Sequence, residues 1–159
     1  MKCFKFLFLI LAIFSSCNEK TTSDSFSLQI HEARLLSDFD GKVFSEWDTI
    51  RVQRTDNKTD IYIVSDSPLL TEWNFLAFNA SSKQEDNTKI VTVRLNAFAE
   101  KKMQAFSKKE NNLKVPLGLR IGNRWANFSP LLNPVTDRMT LRGLKIKEVE
   151  ELDDHIKNR

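Results

Sequence analysis

The chain has 159 residues, 41% hydrophobic and 28% charged, with 24 lysines and arginines against 21 acidic side chains. That is the length of one domain with an ordinary core, which excludes a second sizeable domain and wholesale disorder. Its two cysteines are Cys3 and Cys17 and its two histidines His31 and His155, which argues against a disulfide framework, a cysteine zinc site in the body and a Ser-His-Asp hydrolase.

The N-terminus reads first. Met1-Lys2-Cys3-Phe4-Lys5 is a basic start, and Phe6–Phe14 is an unbroken apolar run. As helix that run spans about 14 Å, half of the roughly 30 Å hydrocarbon core of a bilayer. It is too short to cross and the right length for the apolar part of a signal peptide. Ser15-Ser16-Cys17 then resembles a bacterial lipobox, with Phe14 departing from the usual Leu three residues before the cysteine. The reading is a lipoprotein signal over 1–16, cleavage before Cys17, and a diacylglycerol and further acyl chain (palmitate) on that residue. Residues 17–25 are then the lipidated cysteine and a Ser/Thr-rich tether, and 26–159 the domain. Losing Lys2 and Lys5 leaves 22 basic against 21 acidic side chains, a net charge of +1. No nucleic-acid partner is expected of such a chain. A lipid anchor puts the protein in the bacterial cell envelope, with the outer membrane as the expected site.

The mature chain alternates from its start. Phe26–Ile30 has the period-two pattern of a strand, and Ser37-Asp38-Phe39-Asp40-Gly41 is turn chemistry. Thr49–Val52 and Asp60–Val64 are strands rich in β-formers, joined by a turn at Thr55–Lys58. Thr71 starts a helical turn within Leu69–Asn74, followed by an irregular strand at Phe75–Phe78. Ser81–Asn87 reads as a polar turn before the strand Lys89–Leu95. Asn96 caps a helix over 97–110 in which Ala99, Met103 and Phe106 recur on one face. Val115, Leu117, Leu119 and Ile121 mark one face of a strand, Gly122-Asn123 a hairpin turn, and Trp125–Phe128 the return strand. Pro130 and Pro134 bracket an irregular link. Arg138–Arg142 is a short strand, Gly143 a break, and 145–157 a helix with Val149, Leu152 and Ile156 on one stripe. The fold class expected is α+β: an antiparallel sheet with about two helices packed on one face, as a single domain.

From Tyr62 to Ile156 this order and its residues resemble the head subdomain of the first periplasmic domain of SecD/SecDF, the membrane accessory of the Sec translocase. The resemblance is carried by Pro68-Leu69-Leu70-Thr71, Val91–Asn96, the helix Ala99–Ser107, and Pro116–Asn123. Pro130, Pro134, Gly143 and Glu148-Val149-x-x-Leu152 extend it. These are core and turn positions, so they speak for fold more than for activity. The family's Asp-Gly turn is Gly122-Asn123 here, its early helix glycine is Ala99, and its capping Thr before the last helix is Lys145. The resemblance implies an unfolded or secreted polypeptide as partner. It does not carry over proton-driven work, which belongs to membrane helices that have no counterpart in the sequence.

Asp38-x-Asp40-Gly41 looks like half a calcium loop, but Lys42 stands where a third oxygen is needed, and a plain turn is preferred. Glu148, Glu150, Glu151, Asp153 and Asp154 read as a solvated helix face among Lys145, Lys147 and Lys157. His31 reads as a surface or edge histidine, and His155 as a cation complementing a helix C-terminus. Lys101-Lys102 and Lys108-Lys109 read as solubilising, and Trp47, Trp73 and Trp125 as buried packing. No catalytic, cofactor or metal residue is assigned, and Cys17 is the one modified site. The expected function is a non-catalytic, lipid-anchored binding module for a protein or peptide partner; the alternative is a lipoprotein that binds a small ligand.

Overall fold

The computed structural model describes residues 26–38, 46–54, 56–85, 87–109 and 112–159, the side chains of 82–85 excepted. Cys3, Cys17 and the tether lie outside the described residues, as do Asp40, Gly41 and Lys42.

The organising strand is β1 (Leu28–Leu35). On one side it pairs with β7 (Pro116–Ile121), His31 facing Gly118. On the other it pairs first with β4 (Leu70–Thr71) and then with β3 (Thr59–Ser65). β2 (Trp47–Gln53) extends the sheet beyond β3, and β8 (Arg124–Pro130) beyond β7. A second sheet contains β5 (Phe75–Glu85), β6 (Thr88–Leu95) and β9 (Arg138–Lys145). All of this pairing is antiparallel. Helix α1 (Ala97–Lys108) lies against β6, and α2 (Ile146–Lys157) across β5, β6 and β9. The fold is α+β, as expected, with its strands divided between six- and three-stranded sheets.

One core joins the two sheets and both helices. Leu28 and Ile30 of β1, Leu117, Leu119 and Ile121 of β7, Val91, Val93 and Leu95 of β6 and Leu141 and Leu144 of β9 meet in it. Helix α1 contributes Ala99, Met103 and Phe106, all buried, and starts where Asn96 Oδ1 accepts the Ala99 N–H at 2.8 Å. Helix α2 contributes Leu152, fully buried, flanked by Val149 and Ile156. Each such side chain, removed from water, stabilises the fold by about 1.5–3 kcal/mol.

Two elements are longer than the hydrophobic pattern predicts. β1 runs on through His31-Glu32-Ala33-Arg34-Leu35, because β3 pairs with its far end, Ala33 facing Val64. β5 continues through Ser81–Glu85, where a polar turn is expected, and pairs Gln84 with Lys89 and Glu85 with Thr88. Backbone pairing orders that hairpin end, and its polar sequence carries no apolar alternation to mark it. The start of α2 differs from the expected solvated face. Glu148 accepts the Lys145 N–H at 2.7 Å and grips Arg124 of β8 through contacts of 2.6 and 2.8 Å. Arg124 also donates to the Gly143 carbonyl at 3.1 Å, tying β8, β9 and α2 at one point.

Candidate functional site

β8 ends the six-stranded sheet and β9 ends the three-stranded one, and no ladder joins them. At one end the two backbones press together: an ideal Cβ on Gly143 would lie 2.7 Å from the Ala126 carbonyl oxygen. A cleft of about 390 Å³ is lined by residues of both strands. Its apolar part is lined by Ile30, Leu117, Leu119, Val135 and Leu141, and its polar lining includes Asn127 and Ser129 of β8 and Thr140 of β9. Among the described residues, Arg138 and Arg142 are its charged lining and no carboxylate, histidine or cysteine lines it.

The segment 131–137 closes one side and is held at both ends. Leu131 exchanges backbone hydrogen bonds with Lys114 (2.6 Å) and Val115 (3.0 Å), and the Asp137 carbonyl accepts the Leu95 N–H at 2.7 Å. Val135 is buried between those fastenings. The two prolines expected to bracket an irregular link thus frame a pinned wall. The cleft offers an apolar floor, amide and hydroxyl groups, and two guanidinium groups, of which Arg138 has Asp137 at 3.5 Å. Such a lining can hold an apolar side chain and orient a polar main chain.

The outer face of the six-stranded sheet carries a row of rings. Tyr62 stacks on Phe128 at 4.1 Å, Phe128 on Trp125 at 5.4 Å, and His31 meets Trp125 edge-on at 5.3 Å. Gly118 lies beneath them, since a Cβ there would come within 2.9 Å of both Phe128 and Trp125. Arg120 sits over the Trp125 ring. His31 is therefore not the surface or edge residue expected: it is 3% exposed on a strand paired along both sides. Its Nδ1 donates to the Ser65 carbonyl at 2.7 Å. The Gln29 amide lies 3.1 Å from Nε2, and a half-turn about its last bond presents NH₂ to that acceptor.

Burial holds the His31 pKa below its ordinary 6.5; the Ser65 hydrogen bond and Asp66 oppose that, while Arg120 reinforces it. The unfolded chain therefore takes up the proton first as pH falls. The stability this ring contributes is present above pH 6.5 and is lost as pH drops below it. Melting temperature should fall between pH 7.5 and 5 for the parent chain, and less steeply for His31→Gln. Equal slopes in the two proteins would remove His31 from the account.

The remaining candidates disperse. Asp38 closes a 3-10 turn, Leu36–Asp38, and accepts the Ser37 hydroxyl at 2.9 Å. Lys147–Glu151 and Lys157–Asp153 pair along α2. Lys102 reaches the Pro68 carbonyl at 3.3 Å, while Lys101, Lys108 and Lys109 are exposed. His155 stands among Phe26, Trp73 and Arg159, and burial and Arg159 lower its pKa while Glu72 opposes them. That shift disfavours the charged form that the sequence reading sets against the helix end. Trp47 and Trp125 are half-buried, but Trp73 is 61% exposed and is not the core residue expected. Among the described residues no group of three or more His, Cys, Asp or Glu gathers to hold a metal, and no helix is long and apolar enough to cross a membrane.

No family model matches the chain, and no curated protein matches it. Two solved structures of SecDF are similar to it. The first, of a membrane component that enhances protein export, is 12% identical over 79% of this chain and 59% of its own, with a TM-score of 0.49. The second, SecDF in its super-membrane-facing form, is 14% identical over 79% of this chain and 18% of its own, with a TM-score of 0.47. The chain therefore spans less than two thirds of either structure.

Proposed function

We propose that this chain is a non-catalytic binding module of the bacterial envelope, anchored through acylated Cys17, that takes an extended polypeptide into the cleft between β8 and β9. The observation that carries the reading is the pair of facing strand edges. An extended chain can hydrogen-bond to such an edge through its main chain while alternate side chains enter the apolar floor. Unfolded or secreted polypeptide, or an extended segment of an envelope protein, fits this mode, and the sequence resemblance to the SecD head points to the same class of partner. The reaction is contact, without turnover.

Thr140 tests it, because its side chain is exposed and lines the cleft. Thr140→Trp should weaken capture of a reduced, alkylated and so permanently unfolded polypeptide about tenfold or more, which is ~1.4 kcal/mol. Glu150→Trp on the exposed side of α2 should bind as the parent does, with both variants melting within a few degrees of it. Equal binding by all three would sink the cleft reading. The cleft volume also falls within the roughly 300–1,000 Å³ of small-molecule sites, which favours a small-ligand lipoprotein as the second reading. A thermal shift with a defined small molecule but none with peptides would select that one.

A further inference from the structure

A second surface lies at the corner where the described chain begins. Phe26 packs against His155, and His155 meets the edge of Trp73 at 4.6 Å. Arg159 lies over the Trp73 ring at 5.4 Å and donates to the carbonyls of Glu72, Trp73 and Phe75. The indole is thus held in place from one side while 61% of its surface stays open. Asn96 joins α1 to the same corner, donating from its backbone to Asn74 and from its amide to the Trp73 carbonyl. Two residues further on, Phe98 is 68% exposed in the first turn of that helix.

Where the chain enters this corner decides what the corner faces. Nine peptide links separate Cys17 from Phe26, and fully extended they reach about 30 Å. An acylated Cys17 therefore keeps Phe26 within that distance of the bilayer, with Trp73 one histidine ring further on. We propose that Trp73 and Phe98 seat in the interface of a zwitterionic phospholipid bilayer, fixing the domain's orientation on the membrane; this rests on the anchored reading above. Indole rings favour the headgroup level, where one edge is apolar and the other wet. The cations beside the Trp73 ring are already engaged, Arg159 on carbonyls and Lys157 on Asp153. Glu151 and Asp154 beside the corner disfavour an anionic surface. Seating is consequently apolar in origin and insensitive to salt, unlike a polybasic contact.

The test uses the mature protein purified from membranes and reconstituted into phosphatidylcholine vesicles with or without brominated acyl chains. Bromolipid should quench part of the tryptophan emission at low and high salt alike. Trp73→Phe should abolish that lipid-dependent part, with Trp47 and Trp125 still present and the melting temperature unchanged, and Phe98→Ser should reduce it. Unquenched emission from a protein whose N-terminal peptide carries acyl chains by mass spectrometry overturns this inference alone. An unacylated Cys17 overturns the anchored reading and this inference with it. Shielding of Trp73 from iodide without lipid quenching assigns the corner elsewhere and also overturns it: to residues 18–25 if independent of protein concentration, to a second copy if it rises with concentration.

Discussion

Phe75→Ala is expected to lower stability by about 3–5 kcal/mol, the range for deleting a fully buried ring. Phe75 opens β5 with no exposed surface, pairs with Leu95, and passes its carbonyl to Arg159. It shares the main core with Leu70 of β4, Leu95 of β6 and Leu152 of α2, a core built from two sheets and two helices, which limits how far the site can collapse. Phe106→Ala, 5% exposed at the end of α1, should fall in the same range. Trp73→Ala should cost far less, because most of that ring is already in water. Urea unfolding with an unchanged m-value would report the three differences. A loss below about 1 kcal/mol at Phe75 or Phe106 would mean that the element carrying it is misplaced. Against a typical total of about 5–15 kcal/mol for a domain, the Phe75 change alone consumes a large share.

The parts of the fold legible in the sequence are those whose cause is local. Asn96 with Ala99, Met103 and Phe106 announces α1, and all four do what the pattern implies. The alternation from Val115 to Ile121, broken by Gly122-Asn123, announces the β7–β8 hairpin. What stayed illegible depends on partners distant along the chain. His31 falls in the polar phase of the Leu28-Gln29-Ile30 alternation, and only the arrival of Trp125 and Ser65 makes its position an interior one. Ser81–Glu85 carries no hydrophobic signal because its order comes from backbone pairing with β6. The division into two sheets is a choice of neighbours, which no window of residues records. The cleft is less legible still. Its lining runs from Asn127 to Arg142 and back to Ile30, and its one local signal is the pair Pro130 and Pro134. Cys17, the residue on which the localisation turns, lies outside the described residues and rests on the sequence.

The cleft is lined by both β8 and β9, and Gly143 is a point where their backbones come into contact. Its φ is +84°, a backbone conformation that L side chains rarely adopt, and holding a non-glycine residue in such a region costs about 1–3 kcal/mol. Its missing side chain also admits the Ala126 carbonyl to 2.7 Å of where a Cβ would be. That oxygen is backbone, set between Trp125 and Asn127, which both pair with β7, so it cannot swing aside as a side-chain tip could, and crowding adds about 1–3 kcal/mol. Gly143→Val is therefore expected to destabilise by the two together. Gly122→Ala isolates the backbone part, since φ there is +54° and a Cβ would meet nothing within 4 Å. The larger consequence is at the seam. Pushing Gly143 away from Ala126 lengthens the Arg124 bond to the Gly143 carbonyl and loosens the grip of Arg124 on Glu148, so the contact between the two strands opens. Hydrogen exchange should then speed up at Trp125–Asn127 and Leu141–Lys145 more than along β1, and capture of an unfolded polypeptide should weaken even at temperatures well below melting. Unchanged exchange in those two stretches, with binding intact, would show that the contact at Gly143 does not set the width of the cleft.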